Sequence, residues 1–122
     1  MKIMTKLKIS VLGDGGWGTT LAVLLAGKNY AVTLWGAFEN YTKIIAKNRL
    51  NSKFLPGIRI PGEIEITSDL KAAVSCKDII ILAIPAQYTR SILKKIKGNF
   101  RKNTIFLSVS KGIEIKSLQR IS

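Results

Sequence analysis

No histidine occurs in the 122 residues of this chain. That absence removes Ser-His and Cys-His nucleophile systems, His-based metal sites and an imidazole acid or base. No metal site is therefore expected, and any proton transfer has to use Lys, Tyr, Asp, Glu or water. There is a single cysteine, Cys76. It can form no internal disulfide, which suits a reducing cytoplasm, and at the end of a short helix it is expected to be a small buried filler. Acidic residues are scarce, 7 against 20 Lys and Arg, leaving a formal net charge of +13. Long apolar runs are lacking too. The strongest, Ile79 to Pro85, is far shorter than the roughly 18–20 residues of a spanning helix, so no membrane span is expected. The basic start MKIMTKLKIS runs directly into glycines and Asp14, which excludes a secretory signal from the expectation.

What is present is 47% apolar residues, enough for one packed domain over residues 1–122 and too few residues for two. The positive charge permits nucleic-acid or anionic-surface binding, and equally suits an enzyme with phosphorylated ligands. The lysines are spread out rather than interleaved with aromatics, so no specific nucleic-acid partner is expected.

Hydrophobic periodicity alternates between strand and helix. Lys6 to Leu12 reads as a strand and Gly16 to Gly27 as a helix with Leu21, Leu24 and Leu25 on one face. Tyr30 to Trp35 is a strand, and Asn40 to Lys47 a helix through Tyr41, Ile44 and Ile45. Residues 48–62, with Pro56, Gly57, Pro61 and Gly62, read as a long loop. Ile64 to Thr67 is a strand, and Asp69 to Cys76 a short helix capped by Ser68 or Asp69. Asp78 to Ile84 is the nearly all-apolar run of a strand buried on both faces. Tyr88 to Lys97 is an amphipathic helix with Ile92, Leu93 and Ile96 inward, Thr104 to Val109 a strand, and Ser117 to Ser122 the start of another helix. This β-α alternation implies an α/β fold with a parallel sheet covered on both faces.

Gly13-Asp14-Gly15-Gly16-Trp17-Gly18 sits between the first strand and first helix. The G-x-G-x-x-G spacing alone is weak, but here a strand precedes it, a helix starts inside it and a second strand follows. Gly13 allows the tight turn, Gly15 leaves room for a pyrophosphate and Gly18 lets helix and sheet approach. Backbone N–H groups and the helix dipole favour the anion. The pattern is that of a Rossmann-type doubly wound sheet binding NAD or NADP. Glu39 lies near the position of the usual ribose-binding acid, and no Lys or Arg falls between Trp35 and Tyr41 to hold a 2′-phosphate, which favours NAD. Asp14 places a negative charge close to the pyrophosphate unless it turns away. Phe38 could stack on adenine or pack as an ordinary aromatic. Ligands collect at the carboxyl ends of such strands, where Pro85-Ala86-Gln87-Tyr88 and Ser108 to Gly112 should join the glycine loop. Tyr88 either runs along the cofactor or packs on its own helix. Lys111 is either a surface lysine or a functional cation just beyond a buried strand.

Five segments, VLGDGGWGTTLA (Val11 to Ala22), VTLWG (Val32 to Gly36), NRLNSKFLPG (Asn48 to Gly57), AIPAQ (Ala83 to Gln87) and SVSKGIE (Ser108 to Glu114), together resemble the N-terminal domain of NAD(P)-dependent glycerol-3-phosphate dehydrogenases. The resemblance covers Ile9 to Ser122. It implies a cytoplasmic oxidoreductase that interconverts dihydroxyacetone phosphate and sn-glycerol 3-phosphate, a precursor of phospholipids. By position, Gly16 and Trp17 match cofactor-contacting loop residues, Ala37 or Phe38 the adenosine end, and Tyr88 an aromatic position near the cofactor in some members. Lys111 matches the lysine that contacts substrate and nicotinamide region. An ammonium there would hold the small phosphorylated substrate and stabilise charge growing on its carbonyl oxygen. Many bacterial members carry a basic residue or histidine where Ala37 stands, which bears on NADP preference. Members are two to three times as long, and their C-terminal helical domain supplies the general acid. The resemblance thus implies a cofactor half that binds dinucleotide without turnover, with apolar surface left for self-association or a homodimer. The alternatives are another hydroxy-acid dehydrogenase of the same fold, or a basic nucleic-acid- or anion-binding protein.

Overall fold

The computed structural model describes residues 6–110 and 114–117. Its centre is a six-stranded sheet in the order β5-β2-β1-β6-β7-β8, with β1 Lys8–Leu12, β2 Ala31–Trp35, β5 Glu65–Thr67, β6 Ile79–Leu82, β7 Ile105–Ser110 and β8 Glu114–Ser117. The first five strands in that order are parallel. They form the expected α/β doubly wound sheet, with α1 Gly16–Gly27 and α2 Glu39–Asn48 contributing to one apolar layer and α3 Leu70–Val74 and α4 Ala86–Ile96 to the other. The chain runs outward from β1 on one side, then crosses to β6 on the other. The crevice between the carboxyl ends of β1 and β6 is therefore the switch point at which ligands bind in such sheets.

Side-chain alternation splits the core into two layers. Ile9 and Val11 of β1, with Val32, Leu34 and Ile81, face Ala22 and Ala26 of α1 and Ile45 of α2. Leu12, Ile80, Leu82 and Phe106 face Ala73, Val74, Ile92 and Ile96 on the opposite side. Each fully buried Leu or Ile contributes about 1.5–3 kcal/mol. The α4 stripe is as expected, with Ile92 and Ile96 buried and Leu93 packed beside them.

Several expectations change. The buried stripe of α1 is Gly18, Thr19, Ala22 and Ala26, not the leucines, and Leu24 is exposed. Small residues on that stripe let the helix axis lie close to the sheet, and the larger Leu21 and Leu25 fill the flanks. In α2 it is Thr42 and Ile45 that are buried, while Ile44 is exposed. The stretch 48–62 is not a bare loop: β3 Leu50–Asn51 and β4 Leu55–Arg59 pair antiparallel in a small hairpin, and Ile60 behind it is fully buried. Asp69 rather than Ser68 caps α3, its carboxylate accepting from the Ala72 N–H at 3.2 Å. Cys76 is exposed. Helix α3 has ended at Val74, and Cys76 turns in a left-handed conformation, φ 55°, that carries the thiol outward rather than into the core. Finally, β8 adds antiparallel to β7, so Ser117 ends a strand where a helix start was expected. Residues 118–122 lie outside the described residues.

Candidate functional site

At the carboxyl end of β1 the chain must reverse into α1. Gly13 makes the reversal at φ +129°, which favours glycine, and its N–H donates to the Trp35 carbonyl at 2.9 Å. A Cβ on Gly13 would stand 2.3 Å from the Ala83 carbonyl oxygen, one on Gly18 2.0 Å from the Gly13 carbonyl oxygen, and one on Gly16 2.5 Å from the Phe54 carbonyl oxygen. The fold itself therefore requires these three glycines. Gly15 differs. Its backbone, φ −68° and ψ −177°, suits any residue, and a Cβ there meets no heavy atom within 4 Å among the described residues. Gly15 is also the N-cap of α1, with no side-chain cap and no acidic residue in the first turn. The first N–H groups of a helix have no intrahelical partner, so this end offers free donors and a positive dipole to an anion. An open Gly15 face beside an uncapped helix start fits the pyrophosphate of a dinucleotide.

A buried amide holds the loop in place. Asn51 of β3, 0% exposed, donates from Nδ2 to the Asp14 carbonyl at 2.7 Å and to Thr19 Oγ1 at 2.8 Å. Its Oδ1 accepts from the Tyr41 hydroxyl and from the Phe54 N–H. The hairpin that looked like a loop is thus a clamp on the glycine turn. The sequence carries it only as one amide within NRLNSKFLPG, without a periodic pattern to mark it.

Beyond β2 lie the residues expected at the adenosine end. Ala37 and Phe38 are both exposed, Phe38 at 75%, so the aromatic is not a core residue. Glu39 opens α2 and pairs with Lys43 at 3.2 Å on the solvent side. Asp14 has turned from the loop toward Gly36: a Cβ on Gly36 would lie 2.2 Å from Asp14 Oδ2. That oxygen is buried with no hydrogen-bond partner among the described residues, and burial pushes the Asp14 carboxyl above the usual carboxylate range, a tendency its own backbone N–H partly offsets.

On the other side of the switch point is a cleft of about 500 Å³ lined by Trp17, Ala83, Ile84, Pro85, Ala86, Gln87 and Val109. Pro85 caps α4 and ends the β6 excursion. Trp17 is 42% exposed and joins the glycine loop to this cleft. Tyr88 stands in the first turn of α4, 55% exposed, one residue beyond the lining. The structure therefore brings Gly13, Gly15, Gly16, Trp17 and Gly18 together at the carboxyl edge, with Ala37 and Phe38 at its β2 end and Tyr88 at its α4 rim. Lys111 lies outside the described residues.

Comparison with known proteins agrees with this geometry. Residues 8–122 match the family described as NAD-dependent glycerol-3-phosphate dehydrogenase N-terminus. The chain belongs to that family. Among its relatives, a protein of Prosthecochloris aestuarii named glycerol-3-phosphate dehydrogenase [NAD(P)+] is 43% identical over 114 residues, 93% of this chain and 34% of the relative. One of the same name from Carboxydothermus hydrogenoformans is 40% identical over 119 residues, 98% of this chain and 35% of the relative. The crystal structure of a glycerol-3-phosphate dehydrogenase from Coxiella burnetii superposes with a TM-score of 0.82 at 28% identity, covering 88% of this chain and 33% of that one. That of Saccharomyces cerevisiae does so with a TM-score of 0.77 at 33% identity, covering 90% and 35%. The chain thus spans about a third of the length of these family members. No described helix is long and apolar enough to cross a membrane.

Proposed function

We propose that residues 1–122 form the dinucleotide-binding domain of a glycerol-3-phosphate dehydrogenase that interconverts dihydroxyacetone phosphate and sn-glycerol 3-phosphate with NAD(H) or NADP(H). The observation that carries this reading is Gly15. Its side-chain space is empty beside an uncapped helix start, so nothing in the described chain calls for glycine there, whereas a pyrophosphate lying against the backbone does. In this reading the first-turn N–H groups of α1 hold the pyrophosphate. Ala37 and Phe38 border the adenosine, and Trp17 with residues 83–87 walls the nicotinamide side against water. The bound cofactor would supply the hydride. Lys111 is assigned, on the family motif SVSKGIE, to holding the substrate and steadying negative charge on its carbonyl oxygen.

Binding is tested by calorimetric titration of NADH into the 122-residue chain. Saturable 1:1 binding is expected, and no saturable heat at millimolar NADH would remove the reading. The general acid is assigned to the part of the family's length that this chain does not span, so the chain alone is expected to bind cofactor without oxidising it in the presence of dihydroxyacetone phosphate. The proposed self-association would rest on the exposed Trp17, Phe54 and Tyr88. Sedimentation showing only monomer over a wide concentration range would exclude it.

A further inference from the structure

In sheets of this kind the acid that binds the adenosine ribose normally stands at the end of the second strand, about 20 residues beyond the glycine loop. Here that strand ends at Trp35, and the next residue, Gly36, has no side chain. Glu39, the acid nearest the expected spacing, is directed to Lys43 on the exposed face of α2. The space at Gly36 is nonetheless filled by a carboxylate. Asp14 Oδ2 lies 2.2 Å from where a Gly36 Cβ would be, and Thr42 Oγ1 lies 2.7 Å from the same point. Thr42 offers Asp14 no proton, because its hydroxyl donates to the Phe38 carbonyl at 2.9 Å. Asp14 Oδ2 is left without a donor among the described residues, and an unpaired buried carboxylate oxygen is costly unless something satisfies it. Oδ2 itself is buried, while the residue as a whole is only half-buried.

We infer that Asp14 delivers, from the glycine loop, the carboxylate that receives the adenosine ribose hydroxyls, and that it thereby selects NAD(H) against NADP(H). The inference rests on the dinucleotide reading above and specifies which residue discriminates within it. A ribose 2′-hydroxyl supplies the missing donor. A 2′-phosphate supplies only acceptors and negative charge, and no Lys or Arg lies between Trp35 and Tyr41 to receive it, so selection acts by attraction to one cofactor and repulsion of the other. The position of Asp14 also accounts for Gly36: with the carboxylate in that space, any side chain at residue 36 would collide with it.

The test is calorimetric titration of NADH, NADPH and 2′-deoxy-NADH into the 122-residue chain and its Asp14→Asn and Asp14→Ala variants. The wild-type chain should bind NADH at least roughly tenfold more tightly than NADPH, the scale of a hydrogen bond to a charged group, and should bind 2′-deoxy-NADH correspondingly less well. In both variants the NADH:NADPH ratio should narrow by about tenfold, and the penalty for removing the 2′-hydroxyl should shrink. Asp14→Asn keeps the volume and carries the test if Asp14→Ala does not fold by circular dichroism. An unchanged ratio and an unchanged 2′-deoxy penalty, with NADH still binding, would overturn the assignment of Asp14 while leaving the dinucleotide reading intact. Failure of the wild-type chain to bind NADH would overturn both.

Discussion

At the β1–β2 end of the carboxyl edge, Asn51 ties the glycine turn to α1, to Tyr41 and to the β3–β4 hairpin, and Asp14 fills the space over Gly36. At the β6–β7 end, the cleft is walled by Trp17, Ala83, Ile84, Pro85 and Val109. The first region is fixed by hydrogen bonds and steric contacts within the chain. The second offers mainly apolar surface, with Gln87 the polar side chain in its lining. The difference matches two tasks. Holding a polyanion and a ribose needs donors and acceptors set in advance, because their desolvation has to be matched atom by atom. Receiving a flat ring needs shape and dryness, with reactive groups added from elsewhere.

Breaking the first region should have the larger consequences. Gly18→Ala would put a Cβ 2.0 Å from the Gly13 carbonyl oxygen, a backbone atom with little freedom to move. A loss of roughly 3–5 kcal/mol is expected in urea unfolding, with a chain too unstable to bind cofactor as the limiting case. Asn51→Ala should come next. It leaves the Tyr41 hydroxyl and the Phe54 N–H without their acceptor and removes one of the two donors to the Asp14 carbonyl, at a cost of about 2–3 kcal/mol in the same measurement, with NADH affinity falling further than stability explains because the loop loses its clamp. By contrast, Trp17→Phe in the second region should leave stability within about 0.5 kcal/mol, since Trp17 belongs to neither core layer and is 42% exposed, while weakening NADH binding measurably by calorimetry.

The sequence reveals the periodic parts of this molecule best. The β6 run Ile80 to Leu82 and the α4 stripe Ile92 and Ile96 are buried where their spacing puts them, because period and burial express the same geometry. The glycine loop is legible for the same reason, as flanking strand and helix frame it. Three features were not legible. Apolarity alone points Leu24 inward, whereas close helix–sheet approach selects the small Ala22 and Ala26. The hairpin at residues 50–59 was hidden by Pro56 and Gly57 and by strands too short to show alternation. Asn51 and Asp14 act through contacts across the fold, at separations of 37 and 22 residues to Asp14 and Gly36 respectively, and no local pattern encodes those.

A smaller effect sharpens the role of Asp14. Its folded-state pKa is raised by burial, so the native chain holds that proton more tightly than the unfolded one. The stabilisation from protonation is fully present below the ordinary value of 3.8 and is lost as pH rises through the raised value. Asp14→Asn, permanently neutral, should therefore melt higher than wild type at neutral pH, by an amount on the order of 1 kcal/mol, and the gap should close as pH falls below that value. Asp78 works in the opposite sense. The Lys8 N–H and the Arg101 side chain hold its carboxyl below the usual range, so the stability it adds above 3.8 is lost on acidification. The comparison between Asp14→Asn and wild type cancels that contribution, because Asp78 is present in both.

On the proposed reading, Gly15 is glycine for a ligand and not for the fold. That reading is tested most directly by measuring melting temperature and NADH affinity side by side for the wild-type chain and Gly15→Ala. Because the backbone at Gly15 suits alanine and the added Cβ meets nothing within 4 Å among the described residues, stability should change by no more than about 1 kcal/mol, while NADH binding falls by roughly tenfold or more. Equal NADH affinity in the two proteins, at equal stability, would overturn that reading of Gly15.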